Sequence, residues 1–389
     1  MKRKILFLIS NLETGGVSKS LTSLMNVIDR ERYDVTLMII SPVGPFMELL
    51  PEDLNIISNP VCSNLTGKLS GVTRLLKSAH PILAIGSLLR LMLSASGNRA
   101  LAGRLIAKMM PALEEEYDTI VDFNGQQQLY YMVDKLKARK KVTFFHSDYA
   151  KWPYYYNADK IYYPKVDYIF TISDKCVESL KKYFPSQSDK IKKMENISSL
   201  ELITKMSNSL PEGMPKNESK ILLTVGHVCE NKGILWAIEA ADILNKAGID
   251  FKWYFLGSID NLGRYEALIK ERNLEQKIVF LGIKTNPYPY LKDADIIVHP
   301  SKFEGRSIAL DEAKLLCKPV VVTNFSTVGD QFQDRHNASI CEMNPESIAN
   351  AIKELLDDNK LRKQYIETLA KERHDNSSEI EKLYEIFDK

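Results

Sequence analysis

Two carboxylates eight residues apart, Glu304 and Glu312, bracket the start of an apolar-periodic segment in "SKFEGRSIALDEAKLLCKPVVVTN". Asp311 stands beside the second. The stretch reads as a turn at Gly305, a helix, and a strand ending at Thr323, with Ser307 placed to cap the helix. Acids complement a helix N-terminus, but that effect fades past the first turn. Glu304 lies in the loop ahead of the helix, and Glu312 lies about five residues in, roughly 7–8 Å along the axis. Asp311 points about 100° away around the helix and leaves the pair. A pyrophosphate seated on this N-terminus would have one acid on each side, placed to accept hydroxyl hydrogen bonds from two sugars.

A second candidate is "VGHVCENKG", where Gly226 follows a strand and Lys232-Gly233 precede a helix. Such a turn aims backbone N–H groups at an anion, and Lys232 adds a full charge; a plain turn with a surface lysine is the alternative. His146 ends the strand "KVTFFH", and on position alone reads as a satisfied loop histidine. Asp293-x-Asp295 mimics a metal-binding DxD pair. Asp295 opens a buried strand and Asp293 ends a helix, so both read as structural. The five cysteines are scattered, with no CxxC pair and no histidine at zinc spacing. That usage implies reduced thiols in a cytoplasmic protein and no metal site.

The elements that must position these residues alternate. "KRKILFLIS", "YDVTLMIIS", "DTIVDFN", "KVTFFH" and "VDYIFTIS" are apolar strands, the first two joined through the helical "NLETGGVSKSLTSLMNVI". This β-loop-α-β opening belongs to a doubly wound parallel sheet. Residues 198–220 are polar, hold Pro211, Gly213 and Pro215, and read as a linker. A second series runs from "KILLTVG" through "DFKWYFLG", "KIVFLG" and "DIIVHP" to "PVVVTN". The organisation is therefore 1–197, a linker at 198–220, a second domain at 221–370, and a tail at 371–389. Two such domains imply a cleft onto which the C-terminal ends of both sheets face.

The 389 residues carry 44% apolar and 26% charged side chains and a net charge of +2, a globular composition with no global reason to bind nucleic acid. "ILFLIS" runs straight into a Gly turn and reads as a buried strand, not a leader, and no apolar run reaches membrane-spanning length. Charge is unevenly placed. Leu54 to Leu113 contains no Asp or Glu but holds Lys68, Arg74, Lys77, Arg90, Arg99, Arg104 and Lys108 around the apolar "PILAIGSLLRLMLSASG". This block, 64–113, suits contact with anionic lipid headgroups, or is a helical insertion packed on its own domain with a solvated basic face.

Taken together, the motifs resemble the retaining family 4 (group 1) glycosyltransferases of the GT-B fold, of the capsular or exopolysaccharide type. Glu304-x7-Glu312 with "KPVVVTN" looks like their EX7E element. "VGHVCENKG" is similar to their "GRLxxxKG" turn, "LETGGVSKSL" to their Gly-Gly loop, and "FLGIKTNPYPYLKDADIIVHPS" to their base-binding strand and next helix. The resemblance implies two Rossmann-like domains, with the C-terminal helix returning to the first.

It also implies roles. Glu304 contacts the donor sugar and Glu312 the ribose. Lys232 neutralises the diphosphate with the backbone amides of Gly305, Arg306, Ser307 and Ile308. Gly226 and His227 belong to the phosphate turn, Gly282 and Ile283 lie near the base, and Gly15 and Gly16 approach from the other domain. His146 faces donor sugar and acceptor. The catalytic set is Glu304, Lys232 and His146. The one departure is His227, which stands where the family has arginine and offers one donor in place of a charged fork. The implied activity is retaining, metal-independent transfer from a UDP-sugar, without cofactor, to a lipid-linked saccharide or polysaccharide. The setting is the cytoplasm or the inner membrane face. An inactive transferase-like partner subunit or a nucleotide-sugar epimerase are the competing readings.

Overall fold

The computed structural model describes residues 2–13, 16–198, 200–214, 219–373 and 376–389. The chain divides into two units: 1–13 with 17–197 and 378–389, and 14–16 with 198–377.

The first unit is a seven-stranded sheet in the order β3-β2-β1-β4-β5-β6-β7. Its strands are β1 (Arg3–Ile9), β2 (Tyr33–Ile39), β3 (Asn55–Ile57), β4 (Glu116–Asp122), β5 (Lys137–Phe145), β6 (Tyr168–Thr171) and β7 (Ile191–Lys193), every pair parallel. A parallel sheet is covered on both faces, and so β1 reads as an unbroken apolar run, Ile5 to Ile9 all buried. α1 (Gly16–Val27) follows β1. The block without acids folds as four helices, α2 (Pro60–Thr66), α3 (Leu69–Lys77), α4 (Pro81–Ala95) and α5 (Arg99–Met109). α6 (Gln127–Lys135), α7 (Tyr156–Tyr162) and α8 (Asp174–Tyr183) complete the unit before β7.

The second unit begins with α9 (Leu200–Met206) and holds a six-stranded sheet, β10-β9-β8-β11-β12-β13. Its strands are β8 (Lys220–Val225), β9 (Phe251–Leu256), β10 (Ile278–Gly282), β11 (Ile296–His299), β12 (Val320–Thr323) and β13 (Ser339–Cys341), again all parallel. α10 (Ile234–Lys246), α11 (Leu262–Glu271), α12 (Tyr288–Asp293), α13 (Ile308–Leu315), α14 (Pro345–Asp357) and α15 (Asn359–Glu372) flank it. Asp295 braces the β8–β11 edge by accepting from the Ile221 N–H at 2.8 Å.

Two expected boundaries move. The stretch 198–220 is not an open linker: Ile203 of α9 and Met214 are buried in the second unit's core beside Leu291 and Tyr290, and Asn286 donates to the Met206 carbonyl at 2.7 Å. The tail divides at Ser377–Ser378, later than 370–371: α15 runs on to Glu372, which accepts from Asn337 of the second unit at 2.8 Å. α16 (Glu381–Phe387) belongs to the first unit, as the family fold implies. Its Leu383, Tyr384, Ile386 and Phe387 pack with Ile5, Phe7 and Tyr33, with Tyr384 stacked on Tyr33 at 5.1 Å between centroids. Tyr33 donates to Asp388 at 2.8 Å. No helix among the described residues is long and apolar enough to cross a membrane.

Candidate active site

In the second sheet the strand order reverses at β8, so the β8–β11 pair forms a topological switch point, the place where open α/β sheets bind ligands. The two loops singled out from the sequence leave these two strands. The first carries Lys232 in a single tight turn, Glu230–Lys232, and the second carries Glu304. They are joined by more than neighbouring strands. The Lys302 N–H donates to the Asn231 carbonyl at 2.9 Å. Gly233 has φ +74, and a Cβ there would lie 1.9 Å from the Pro300 carbonyl oxygen, so only glycine lets these loops pack.

The result is a buried charge cluster. One carboxylate oxygen of Glu304 accepts from Lys232 Nζ at 2.5 Å and from His299 Nε2 at 2.8 Å. His299 is the last residue of β11 and is 6% exposed, while Lys232 keeps 32% of its side chain open. Burial raises the Glu304 carboxyl, but the His299 hydrogen bond and the Lys232 charge outweigh it and hold the group at about 2. Glu304 is thus a permanent anion. Its own carbonyl accepts from Thr327 at 3.0 Å, which fixes the loop. Gly226, His227, Lys232, His299 and Pro300 line one small concavity.

Glu312 is held by a different partner. It is 2% exposed in α13 and accepts from the Tyr288 hydroxyl of α12 at 2.9 Å. Asp311 has its own structural bond, a two-pronged pairing with Arg306 at 2.9 and 3.0 Å. Arg306 therefore directs Nε and Nη2 at Asp311. Ser307 occupies the cap position of α13, yet its side chain makes no cap hydrogen bond, contrary to the sequence reading. Gln331 does that work instead. It accepts from the Ser307 N–H at 3.0 Å and donates to the Ser307 carbonyl at 2.8 Å and to Asp311 at 2.9 Å. The Ser307 amide is thus already engaged, and the donors that remain at the helix mouth are the first-turn N–H groups of Ile308 and Ala309. Gly282 ends β10 with φ +68, and Ile283 beyond it is half exposed.

His227 lies on the loop after β8, with both ring nitrogens taken, Nδ1 by Ser258 at 2.6 Å and Nε2 by Asp260 at 2.9 Å. The Asp260 carboxylate thus lies beside the phosphate turn. His227, Cys229 and Asp260 bring ligand atoms within 4.8 Å of one another, a set of types able to hold a metal ion. In this arrangement both His227 nitrogens and one Asp260 oxygen are engaged in hydrogen bonds.

His146 sits in the first unit, where the order reverses between β1 and β4, while 14–16 group with the second. Gly16 opens α1, and Gly15 lies outside the described residues. Asp122, the buried end of β4, accepts from Thr143 at 2.6 Å and from the N–H groups of Asn124 and Gly125 at 3.0 Å. Asn124 in turn accepts from the Ser10 N–H and hydroxyl at 2.8 and 2.7 Å. The turn forces Gln126 to φ 51, ψ −114, a region glycine prefers. His146 is packed against Phe123 and Phe144, its ring centroid 4.7 and 5.5 Å from theirs. Its Nε2 lies 3.1 Å from the Phe123 carbonyl, which can only accept, so Nε2 carries the proton. Burial pulls the ring down to about 4, against the Phe123 and Asn196 contacts, and keeps it neutral.

Lys232, Glu304, Gly226 and His227 therefore come together, Glu312 is tied to α12, and His146 stands in the other unit. His299 and Tyr288 escaped the sequence reading. The signal available for His299 was a histidine ending a buried strand five residues before an acid, and for Tyr288 an aromatic in "NPYPYL".

Known proteins resemble the chain in sequence and in fold. Residues 208–372 match the family model "Glycosyl transferases group 1". Over 205 residues, 52% of this chain and 54% of the relative, the chain is 33% identical to the N-acetylgalactosamine-N,N'-diacetylbacillosaminyl-diphospho-undecaprenol 4-alpha-N-acetylgalactosaminyltransferase of Campylobacter jejuni. It is 27% identical to the capsular polysaccharide biosynthesis glycosyltransferase CapH of Staphylococcus aureus, over 49% of this chain and 56% of that one. The chain spans about half the length of the curated relatives it matches. Among solved structures, Anabaena Alr3699/HepE in complex with UDP and glucose superimposes with a TM-score of 0.71 at 15% identity, covering 99% of both chains. Residues 208–372 thus match the group 1 glycosyl transferases, and the chain as a whole has the GT-B fold of the solved structures it superimposes on.

Proposed function

We propose that the chain is a retaining glycosyltransferase that moves a sugar from a UDP-sugar to a hydroxyl of a lipid-linked saccharide or polysaccharide, without cofactor or metal. The observation that carries this reading is the Lys232–Glu304–His299 cluster at the β8–β11 switch point. A lysine with an open side and a helix mouth suit a diphosphate, and a buried permanent carboxylate suits sugar hydroxyls. The complex of Alr3699/HepE with UDP and glucose supports the donor class, and the undecaprenol-linked and capsular relatives support the acceptor class.

The leaving diphosphate gains charge as the anomeric C–O bond breaks, and Lys232 with the Ile308 and Ala309 amides stabilises it. The acceptor oxygen bonds to the anomeric carbon from the same face, and its proton passes to the departing phosphate oxygen. Lys232 and Glu304 neutralise one another before the donor arrives, so donor binding redirects an ammonium already held in position. His146, neutral, orients a hydroxyl and carries no charge. An acceptor borne on a lipid requires work at a membrane surface.

Lys232→Ala and Glu304→Ala should each lower transfer from a UDP-sugar panel by roughly a hundredfold or more; near-normal transfer in either folded variant overturns the assignment. The Asp260 carboxylate beside the phosphate turn favours one second reading, a subunit that has lost donor binding. Calorimetric titration with UDP separates the two, since that subunit would give no heat of binding.

A further inference from the structure

α4 is built inside out. A helix on a globular core buries its large aliphatic side and exposes its polar one. α4 turns Ala84, Gly86 and Ser87 inward, while Ile82 (79% exposed), Ile85 (68%), Leu88, Leu89 and Met92 (63%) face outward. At about 100° per residue these five fall within an arc of roughly 120°. The small residues let the inner face of α4 pack closely. A Cβ at Gly86 would lie 2.0 Å from the Met109 methyl of α5, and the Ser87 hydroxyl donates to the Leu65 carbonyl of α2 at 3.2 Å. Leu69 and Leu76 of the neighbouring α3 are exposed as well.

The surrounding charge has one sign. Lys68, Arg74, Lys77, Arg99 and Lys108 are exposed, and no acid interrupts Leu54 to Leu113. Two arginines of the block do not contribute. Arg90 turns inward and donates to the Gly67 carbonyl, and Arg104 lies over the Tyr162 ring at 5.9 Å. Arg99 stacks over the exposed Tyr154 at 5.7 Å, an aromatic and a cation together on the first unit's surface.

We propose that the outer face of α3 and α4 docks on an anionic lipid bilayer. Ile82, Ile85, Leu89 and Met92 enter the boundary between headgroups and acyl chains, and Lys68, Arg74 and Lys77 meet the lipid phosphates. A second copy of this chain is a poor occupant, because pairing the face with itself would oppose two basic surfaces with no acid to relieve them. The inference goes beyond the transferase reading and stands on this surface alone.

The test is flotation of the full chain with vesicles, which needs no donor, acceptor or turnover. Phosphatidylcholine vesicles are compared with vesicles containing roughly one-third phosphatidylglycerol, and binding to the second alone is expected to dominate and to weaken with salt. Lys68→Gln/Arg74→Gln/Lys77→Gln should weaken binding to anionic vesicles about a hundredfold, at about fivefold per charge. Ile82→Ser/Ile85→Ser/Leu89→Ser/Met92→Ser should abolish flotation with an unchanged melting temperature, because these side chains leave no core. The proposal is overturned if wild type stays with neither vesicle or if both variants float like it. It is equally overturned if sedimentation shows a self-associated chain that the serine variant turns into monomers.

Discussion

Replacing Glu304 by Gln keeps its shape and removes its charge, which isolates what the buried carboxylate contributes. The group is held at about 2 against an ordinary 4.5, a displacement corresponding to roughly 3 kcal/mol of stability. Because the folded value lies below the unfolded one, this stability is present above about pH 4.5 and disappears as pH falls towards 2. At pH 7 the Gln variant should unfold roughly 3 kcal/mol more easily than wild type, and by pH 3 about 2 kcal/mol of that gap should have closed. The assay is urea unfolding of the second unit, followed through Trp236 and Trp253, the two tryptophans it contains. A gap that is the same at pH 6 and pH 3 would refute the pairing of Glu304 with Lys232 and His299. A gap below about 1 kcal/mol at pH 7 would place the cluster in the class of exposed ion pairs.

Other perturbations follow from single contacts. Gly233→Ala meets the Pro300 carbonyl and a positive φ at once, and should cost about 2 kcal/mol or more, read as a lowered melting temperature. Gln126→Gly should raise the stability of the first unit by about 1 kcal/mol, since it relieves φ 51, ψ −114; a fall in denaturation midpoint would mean the Gln126 side chain is itself held. Tyr288→Phe strips the Glu312 carboxylate of a buried donor and should destabilise by about 1–3 kcal/mol in chemical denaturation. Gln331→Ala removes three hydrogen bonds around Ser307 and should increase amide exchange at Ser307 and the start of α13.

The sheets were legible because parallel strands covered on both faces must be continuous apolar runs, as "ILFLI" and "VVVT" are. Glycine turns after strands marked both loops of the switch point. What stayed hidden depended on side-chain direction in three dimensions. His299 ends a strand whose alternation says nothing about which loop curls back over it, so its bond to Glu304 was not visible. Arg306 and Asp311 pair across a helix cap at a spacing of five, outside the helical neighbours a periodicity search examines. The capping of Ser307 failed as a local rule because Gln331, 24 residues away, offered its backbone both a donor and an acceptor. α9 was missed because seven residues show too little period, and its order comes from burial of Ile203. α4 shows the limit most plainly: period reveals a stripe, but the same stripe serves a core or a lipid surface, and only packing at Gly86 shows which way it faces.

The return of α16 to the first unit governs the order in which the molecule can be made. Phe7 and Tyr33 belong to the opening strands, yet the partners that cover them, Tyr384 and Phe387, are translated some 350 residues later. At about 5–20 residues per second, the first sheet must wait tens of seconds on the ribosome with one face incompletely covered. The second unit, contiguous apart from 14–16, has all its strands and helices available before that closure. The half that begins the chain is thus the half that finishes folding last. A fragment ending at Ile197 would lack Tyr384 and Phe387 over Phe7 and Tyr33, and supplying residues 378–389 as a separate peptide should raise its solubility.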